Sequence, residues 1–463
     1  KNSQIGGNSA KATSGINAVT DSPDSIDLFI KDTQAASHNK SDPVLVEILA
    51  RESKNAIDFL HQYLPQNRRL SETTQCGGHS VSRTHRFPAN PDGSPVPVGF
   101  TIVSALKSKV ESQPNIQILL NSTVTQLLLH PKETNRVNGV QITQKIQGNQ
   151  DVKFISVRAS AVILTTGGYC ASQELLEKVC PRFALLPTTN GAWATGDGIQ
   201  LVQPMNGATH DLEYVQVHPT GFLNLKNINS RSTMLAPEAL RGCGAVLISP
   251  KNGDRFADEL SPRDVLTEAI FQHGKSLKQW LIELKSYEES DLVHLNAQEG
   301  EQEIVVAYLV LSEKTATQFG LGSVSFYEKV GVLTQFPNIS AASDHFKLPN
   351  LMSTLNTYGE KPLERFGKKY APNSDSYRAE NLERNFIGII TPTLHYSNGG
   401  IRMSKDGQLL GVNGDPIVGL YAAGEVTAGV HGANRLAGNS LLECVVYGRI
   451  SARNAANQIH QKD

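Results

Sequence analysis

The chain has 463 residues, Lys+Arg 43 against Asp+Glu 44, and a formal net charge of −1. That length exceeds one ordinary hydrophobic core, so two or more domains are expected. Balanced charge without a long run of one sign argues against a nucleic-acid partner or an acidic tail. The longest apolar run, residues 304–311, is far too short to span a bilayer. Five cysteines (Cys76, Cys170, Cys180, Cys243, Cys444) form no C-x-x-C pair and are odd in number. They favour reduced thiols in a cytoplasmic or mitochondrial, soluble protein over a disulfide framework, and they exclude a C-x-x-C-H haem site. No signal or transit peptide is visible, and a start at Lys1 without methionine leaves room for a lost presequence.

In chain order, the first stretch is a polar loop with glycines, Gly6-Gly7-Asn8-Ser9 through Ser14-Gly15-Ile16-Asn17. Two helices follow. The first is expected near Asp21-Ser22-Pro23. The second takes Asp42 as N-cap and Pro43 at its first position, and buries Leu45, Leu49, Ala56, Leu60 and Leu64. Gly77-Gly78-His79-Ser80 through Arg83-Thr84-His85-Arg86 reads as a polar, basic loop. An amphipathic helix is expected over 100–111, then β patterns over 116–129, 137–144 and 152–159. An apolar run from Ala161 ends in Thr165-Thr166-Gly167-Gly168, which reads as a buried parallel strand delivering a turn to a ligand edge. Thr195-Gly196-Asp197-Gly198 puts a carboxylate at a helix start, a pattern that also serves as an ordinary N-cap. From about His218 the texture changes, with Glu238-Ala-Leu-Arg241 and Arg255-Phe-Ala-Asp258-Glu259-Leu-Ser261-Pro262-Arg263-Asp264 in order. Residues 270–390 read as mixed helix and loop with few motifs, and Thr391 to Gly400 includes His395.

Near the end, a short apolar strand over 420–423 runs into Gly424 and Glu425. A loop poor in side chains, Gly429-Val-His431-Gly-Ala-Asn-Arg435-Leu-Ala-Gly438-Asn439-Ser440, feeds a helix with Leu441, Leu442, Val445, Val446 and Ile450 at helical spacing. Asn439 reads as its N-cap. Such a layout lets backbone approach a flat polar ligand, with unpaired N–H groups and a positive dipole aimed at it. The length and order of this motif resemble the C-terminal flavin-binding signature of the fumarate reductase and succinate dehydrogenase flavoprotein superfamily, most closely its soluble fumarate reductase branch.

The resemblance implies an α/β fold. An FAD-binding Rossmann-like domain with a β meander, residues 1–217 and 395–463, would be interrupted by an α+β capping (clamp) domain, residues 218–394. Ahead of the 6–15 loop, family members carry a strand, a G-x-G-x-x-G turn, a helix and a second strand ending in an acid, which hold the pyrophosphate and ribose. The sequence does not contain that unit, so the FAD-binding domain is expected to be N-terminally incomplete. Truncation is the favoured explanation, and a flavin-free remnant with a binding role is the alternative.

Carried over by motif, the cofactor contacts are Gly7, Asn8, Ser9, Ser14, Gly15, Thr166, Gly167, Asp197, Glu425, Arg435, Gly438, Ser440 and Leu441. Glu425 would bind ribityl or ribose hydroxyls. Asn8 matches the position where membrane-bound succinate dehydrogenases place a histidine linked to the flavin, so FAD is expected to be noncovalent.

His218, His395 and Arg435 match residues that hold the two carboxylates of fumarate, and a planar guanidinium binds a carboxylate bidentately. Arg263 matches the family's proton donor. An arginine pKa is above ~12, so its proton must move as the hydride arrives from N5 of reduced FAD. Glu238 and Arg241 match the relay that reloads it, although the same three residues also read as a buried ion-pair network. The Gly77 to Arg86 loop resembles a family stretch that skirts the active site, with a solvated basic loop as the alternative. Pro237, Ser261-Pro262 and Ser397-Asn398 depart from the family's usual residues and bear on the exact substrate. With no C-x-x-C-H or iron–sulfur cysteine pattern, electrons are expected from an external donor: reduced flavin, NADH or a redox protein. A sister flavoprotein, an L-aspartate oxidase or another enoate reductase, is the alternative enzyme.

Overall fold

The computed structural model describes residues 1–91, 94–133, 135–145, 152–228, 230–284, 292, 295, 297–368, 370–378 and 384–460. Its largest sheet has seven strands, with Met234–Leu235, Val215–Phe222, Asn385–Ser397, Val305–Ser312 and Val246–Ile248 side by side, while Lys275–Ser276 pairs with Val305–Ser312 and Thr334–Phe336 with Asn385–Ser397. Val305–Ser312 is buried along its whole length. Its side chains alternate between two hydrophobic clusters: Val306, Tyr308 and Val310 join one, and Val305, Ala307, Leu309 and Leu311 the other. Both faces are therefore dry, which makes the run continuously apolar where a half-exposed strand would alternate. The stretch read above as mixed helix and loop thus holds a central strand. Among the described residues, no helix is long and apolar enough to cross a membrane.

Val215–Phe222 pairs antiparallel with Asn385–Ser397, with His218 opposite Thr393 and Val217 opposite Leu394. The chain leaves for the 218–394 segment and returns from it through this one strand pair.

A second sheet carries the turn to Thr165-Thr166-Gly167. Val162–Leu164 runs parallel to Pro416–Ala422, with Leu420 opposite Val162 and Ala422 opposite Leu164. The parallel pairing matches expectation, but the strand is only half buried, since Ile163 is 37% exposed beside a buried Leu164. A meander of Ser122–Leu129, Val137–Lys145 and Val152–Arg158 completes this part. Its first strand starts six residues later than the pattern suggested, because Ile116, Leu119 and Leu120 lie exposed in the preceding loop.

Helix starts follow the caps. Asp42 accepts from Val44 N and Leu45 N and opens Pro43–Arg51 as expected. The helix does not run on to Leu64. It stops at Glu52 and restarts as Ser53–His61, where buried Ser53 donates to Ala50 O (2.7 Å) and accepts from Val19 N (3.1 Å). The first helix is Ile26–Ala36, capped by Ser25 at Leu28 N. The Asp24 carboxylate is already taken by Arg83, so capping falls to the next residue. The helix expected from residue 100 begins at Val98. Asn439 is the first residue of Asn439–His460 and does not cap it. Its side chain accepts from Asn17 Nδ2 (2.7 Å) and donates to Thr33 Oγ1 (3.3 Å).

Candidate functional site

A cavity of about 1600 Å³ lies where these segments meet. Three glycine-bearing segments form its walls. Gly6 to Gly15 comes from the first loop, Thr165 to Gly167 from the parallel strand's end, and Gly424 to Leu441 from the C-terminal motif. Gly167 sits at φ +73° with open space where a Cβ would go, and Gly438 at φ +86° lies so close to Asn17 that a Cβ would fall 2.1 Å from Oδ1. Only glycine gives backbone this conformation and this proximity without strain. Every cofactor contact named from the sequence lines this one cavity: Gly7, Asn8, Ser9, Ser14, Gly15, Thr166, Gly167, Asp197, Glu425, Arg435, Gly438, Ser440 and Leu441. Arg263 and His395 line it too, whereas His218, Glu238 and Arg241 lie behind its wall.

Arg263 is the first residue of Arg263–His273, fixed there by Pro262 at the N-cap. Its Nη2 donates to Glu238 Oε2 at 3.4 Å, and its buried Nε and Nη1 have no protein acceptor. Glu238 accepts from Gly77 N at 2.8 Å. Burial pushes its carboxyl upward, but the Arg263 and Arg241 guanidiniums and the Gly77 N–H outweigh that and hold it below the usual range. Arg241 is 2% exposed, donates Nη1 to Glu259 O, and leaves Nε and Nη2 unpartnered.

Arg435 stacks its guanidinium over the Tyr396 ring at 4.6 Å, and its buried Nε has no acceptor. Burial, then the Arg263 cation, lowers its pKa to about 10, so it stays charged at neutral pH. His218 and His395 pack ring to ring, centroids 5.4 Å apart. Burial, then the Arg263 cation, depresses both pKa values well below the ordinary histidine range. Both imidazoles are therefore neutral and can offer an N–H without adding charge.

Glu425 accepts from Ser397 N (2.9 Å) and Oγ (3.1 Å). Burial raises its carboxyl to about 7 despite these bonds. Asp197 pairs with Lys1 at 2.7 Å, and Asn8 is bonded to Asn190 and Gly191. Buried Thr166 Oγ1 has no partner. Unpartnered buried donors on a cavity wall await a ligand. With the open glycine turns and a carboxyl placed for hydroxyls, they fit the flavin expected from the sequence.

Several neighbours escaped sequence reasoning. Thr189 Oγ1 bonds His395 Nδ1 at 2.7 Å, from a segment with no motif. Tyr396 OH donates to Glu443 (2.7 Å), which also holds His431 Nε2 (2.9 Å), so the ring beneath Arg435 is itself anchored. Trp193 lines the cavity next to Gly7. Only Tyr396 carried a local signal, its adjacency to His395.

A family model described as FAD binding domain matches residues 1–441. The protein named fumarate reductase from Schizosaccharomyces pombe is 34% identical over 474 residues, covering 99% of this chain and 84% of its own. Fumarate reductase 1 from Saccharomyces cerevisiae is 36% identical over 485 residues, covering 99% and 92%. Among solved structures, the open conformation of a flavocytochrome c3 fumarate reductase superposes with a TM-score of 0.73 at 27% identity, covering 99% of this chain and 73% of that one.

Proposed function

The chain belongs to the FAD binding domain family, and from that premise we propose that it reduces fumarate to succinate with noncovalently bound FAD. Arg435 binds one carboxylate of fumarate through its charged fork, and neutral His395, backed ring to ring by His218, donates toward the other. When bound and reduced by two electrons, FAD would supply a hydride to the double bond. Arg263 gives the proton to the adjacent carbon, and Glu238, ionised between two guanidiniums, takes up the next proton and returns Arg263 to its charged state. Arg241 keeps Glu238 ionised. Residues 1–217 and 395–463 hold the cofactor, and 218–394 form a cap that brings Arg263 over it. Asn8 has no nucleophilic ring nitrogen, which supports a noncovalent flavin. Electrons come from a donor outside the chain, reduced flavin, a nicotinamide or a redox protein. Five free thiols support a reducing compartment, cytoplasm or mitochondrion.

One observation carries this reading. Arg263, His395 and Arg435, drawn from three distant parts of the chain, line the same cavity as the cofactor loops, and both arginines keep buried guanidinium nitrogens without a protein partner. The test is an anaerobic assay of the FAD-loaded chain with a reduced viologen dye, comparing fumarate with monocarboxylic enoates. Fumarate is the expected substrate. Faster turnover of a monocarboxylate would assign the chain to another enoate reductase.

A further inference from the structure

The Gly77–Arg86 segment joins two halves of the site. At one end Gly77 N–H holds Glu238 Oε1 (2.8 Å). Two residues on, His79 Nε2 lies 2.9 Å from Ala437 O, in the loop that carries Arg435 and Gly438. Between them Gly78, at φ +83°, packs against Leu436. The segment is anchored behind: Ser80 N and Oγ donate to Asp32 (2.9 and 2.6 Å), and fully buried Arg83 pairs with Asp32 and Asp24.

The bond to Ala437 fixes the histidine's tautomer. A carbonyl only accepts, so Nε2 carries the proton, and Nδ1 is left as the acceptor facing Arg83 Nη1 (3.4 Å). Ala437 O also accepts from Asn17 Nδ2 at 2.7 Å. In a planar trans peptide the C=O and the following N–H point in opposite directions. Two donors on Ala437 O therefore set the direction of Gly438 N–H, which has no acceptor among the described residues, while Gly438 lines the cavity.

We infer that His79 is a positioning residue: it locks the Ala437–Gly438 peptide so that Gly438 N–H is presented to the flavin's electron-rich edge, while its own loop holds Glu238. The inference rests on reading the cavity as a flavin site. A donor aimed there favours the reduced, more negative flavin over the oxidised one.

Two variants of the FAD-loaded protein test it. In His79→Leu the donor is lost and Ala437 O keeps only Asn17. FAD affinity should fall about tenfold, as for one buried hydrogen bond. The flavin midpoint potential should drop, and kcat should fall with KM for fumarate little changed. In His79→Gln an amide N–H can take the place of Nε2–H, and affinity and potential should return to within about threefold and close to the parent values. Parent-like FAD affinity and potential in His79→Leu would overturn the inference, as would a His79→Gln variant as impaired as His79→Leu. A parent chain that takes up no FAD would instead overturn the flavin reading, and this inference with it.

Discussion

Replacing Arg263 with glutamine separates chemistry from folding at this site. The guanidinium is held by one long contact, 3.4 Å to Glu238, against about 2.7–2.9 Å for a strong charge-assisted bond, and two of its nitrogens are unpartnered. Its cation also depresses the pKa values of Arg241, Arg435, His218 and His395. Removing it deletes a weak bond and relieves that repulsion. Glu238 keeps the Gly77 N–H and the Arg241 charge. Stability should therefore change by no more than about 1 kcal/mol, far less than the ~3–5 kcal/mol lost when a tight buried pair is broken. Activity behaves differently. Loss of a general acid costs about 10²–10⁴ in rate, or roughly 3–5.5 kcal/mol of barrier at ~1.4 kcal/mol per decade. The assay is viologen-linked fumarate turnover alongside urea unfolding and the bound-flavin spectrum. Turnover within tenfold of the parent, with the flavin retained, would refute the reasoning.

Arg435→Lys replaces a planar fork with a point charge and weakens the stacking on Tyr396. KM for fumarate should rise ten- to a hundredfold, the equivalent of a charge-assisted bond of about 1.5–3 kcal/mol, with the flavin still bound. Glu425 gives a pH signature in the FAD-free chain. Its folded pKa of about 7 lies above the ordinary ~4.3, so the neutral form is favoured in the fold and stability falls as pH rises from ~4.3 through about 7. Between pH ~5 and ~8 the parent should lose about 2.5 kcal/mol more than Glu425→Gln in urea unfolding, and equal slopes would contradict the assignment. Gly168→Ala would put a Cβ 1.9 Å from Ser397 Oγ and 2.4 Å from Glu425 Oε1, so thermal unfolding should show a loss of about 1–3 kcal/mol together with weaker flavin uptake.

What was legible in the sequence was what ligand chemistry imposes locally. Glycines at 7, 15, 167 and 438 are needed where backbone turns through positive φ or approaches a ligand, and each belongs to a short contiguous motif. Arg263, His395 and Arg435 were readable only through the resemblance of their motifs to the flavoprotein family. The arrangement behind them was not. Val305–Ser312 pairs with strands about 60 residues before and 80 after it in sequence, and its residues divide between two cores, so no alternation marks it as a strand. The break at Glu52 depends on a contact from Val19. Thr189 behind His395, and His79 behind Gly438, are set by tertiary contact alone.

The most direct measurement is a single turnover. The chain is loaded with FAD, reduced anaerobically to one equivalent, freed of excess reductant and mixed with fumarate while flavin absorbance is followed. The account predicts rapid return of oxidised flavin with one succinate formed per flavin, and a bleached spectrum that persists in Arg263→Gln. Reduced flavin that stays bleached in the parent chain after fumarate is added would contradict it.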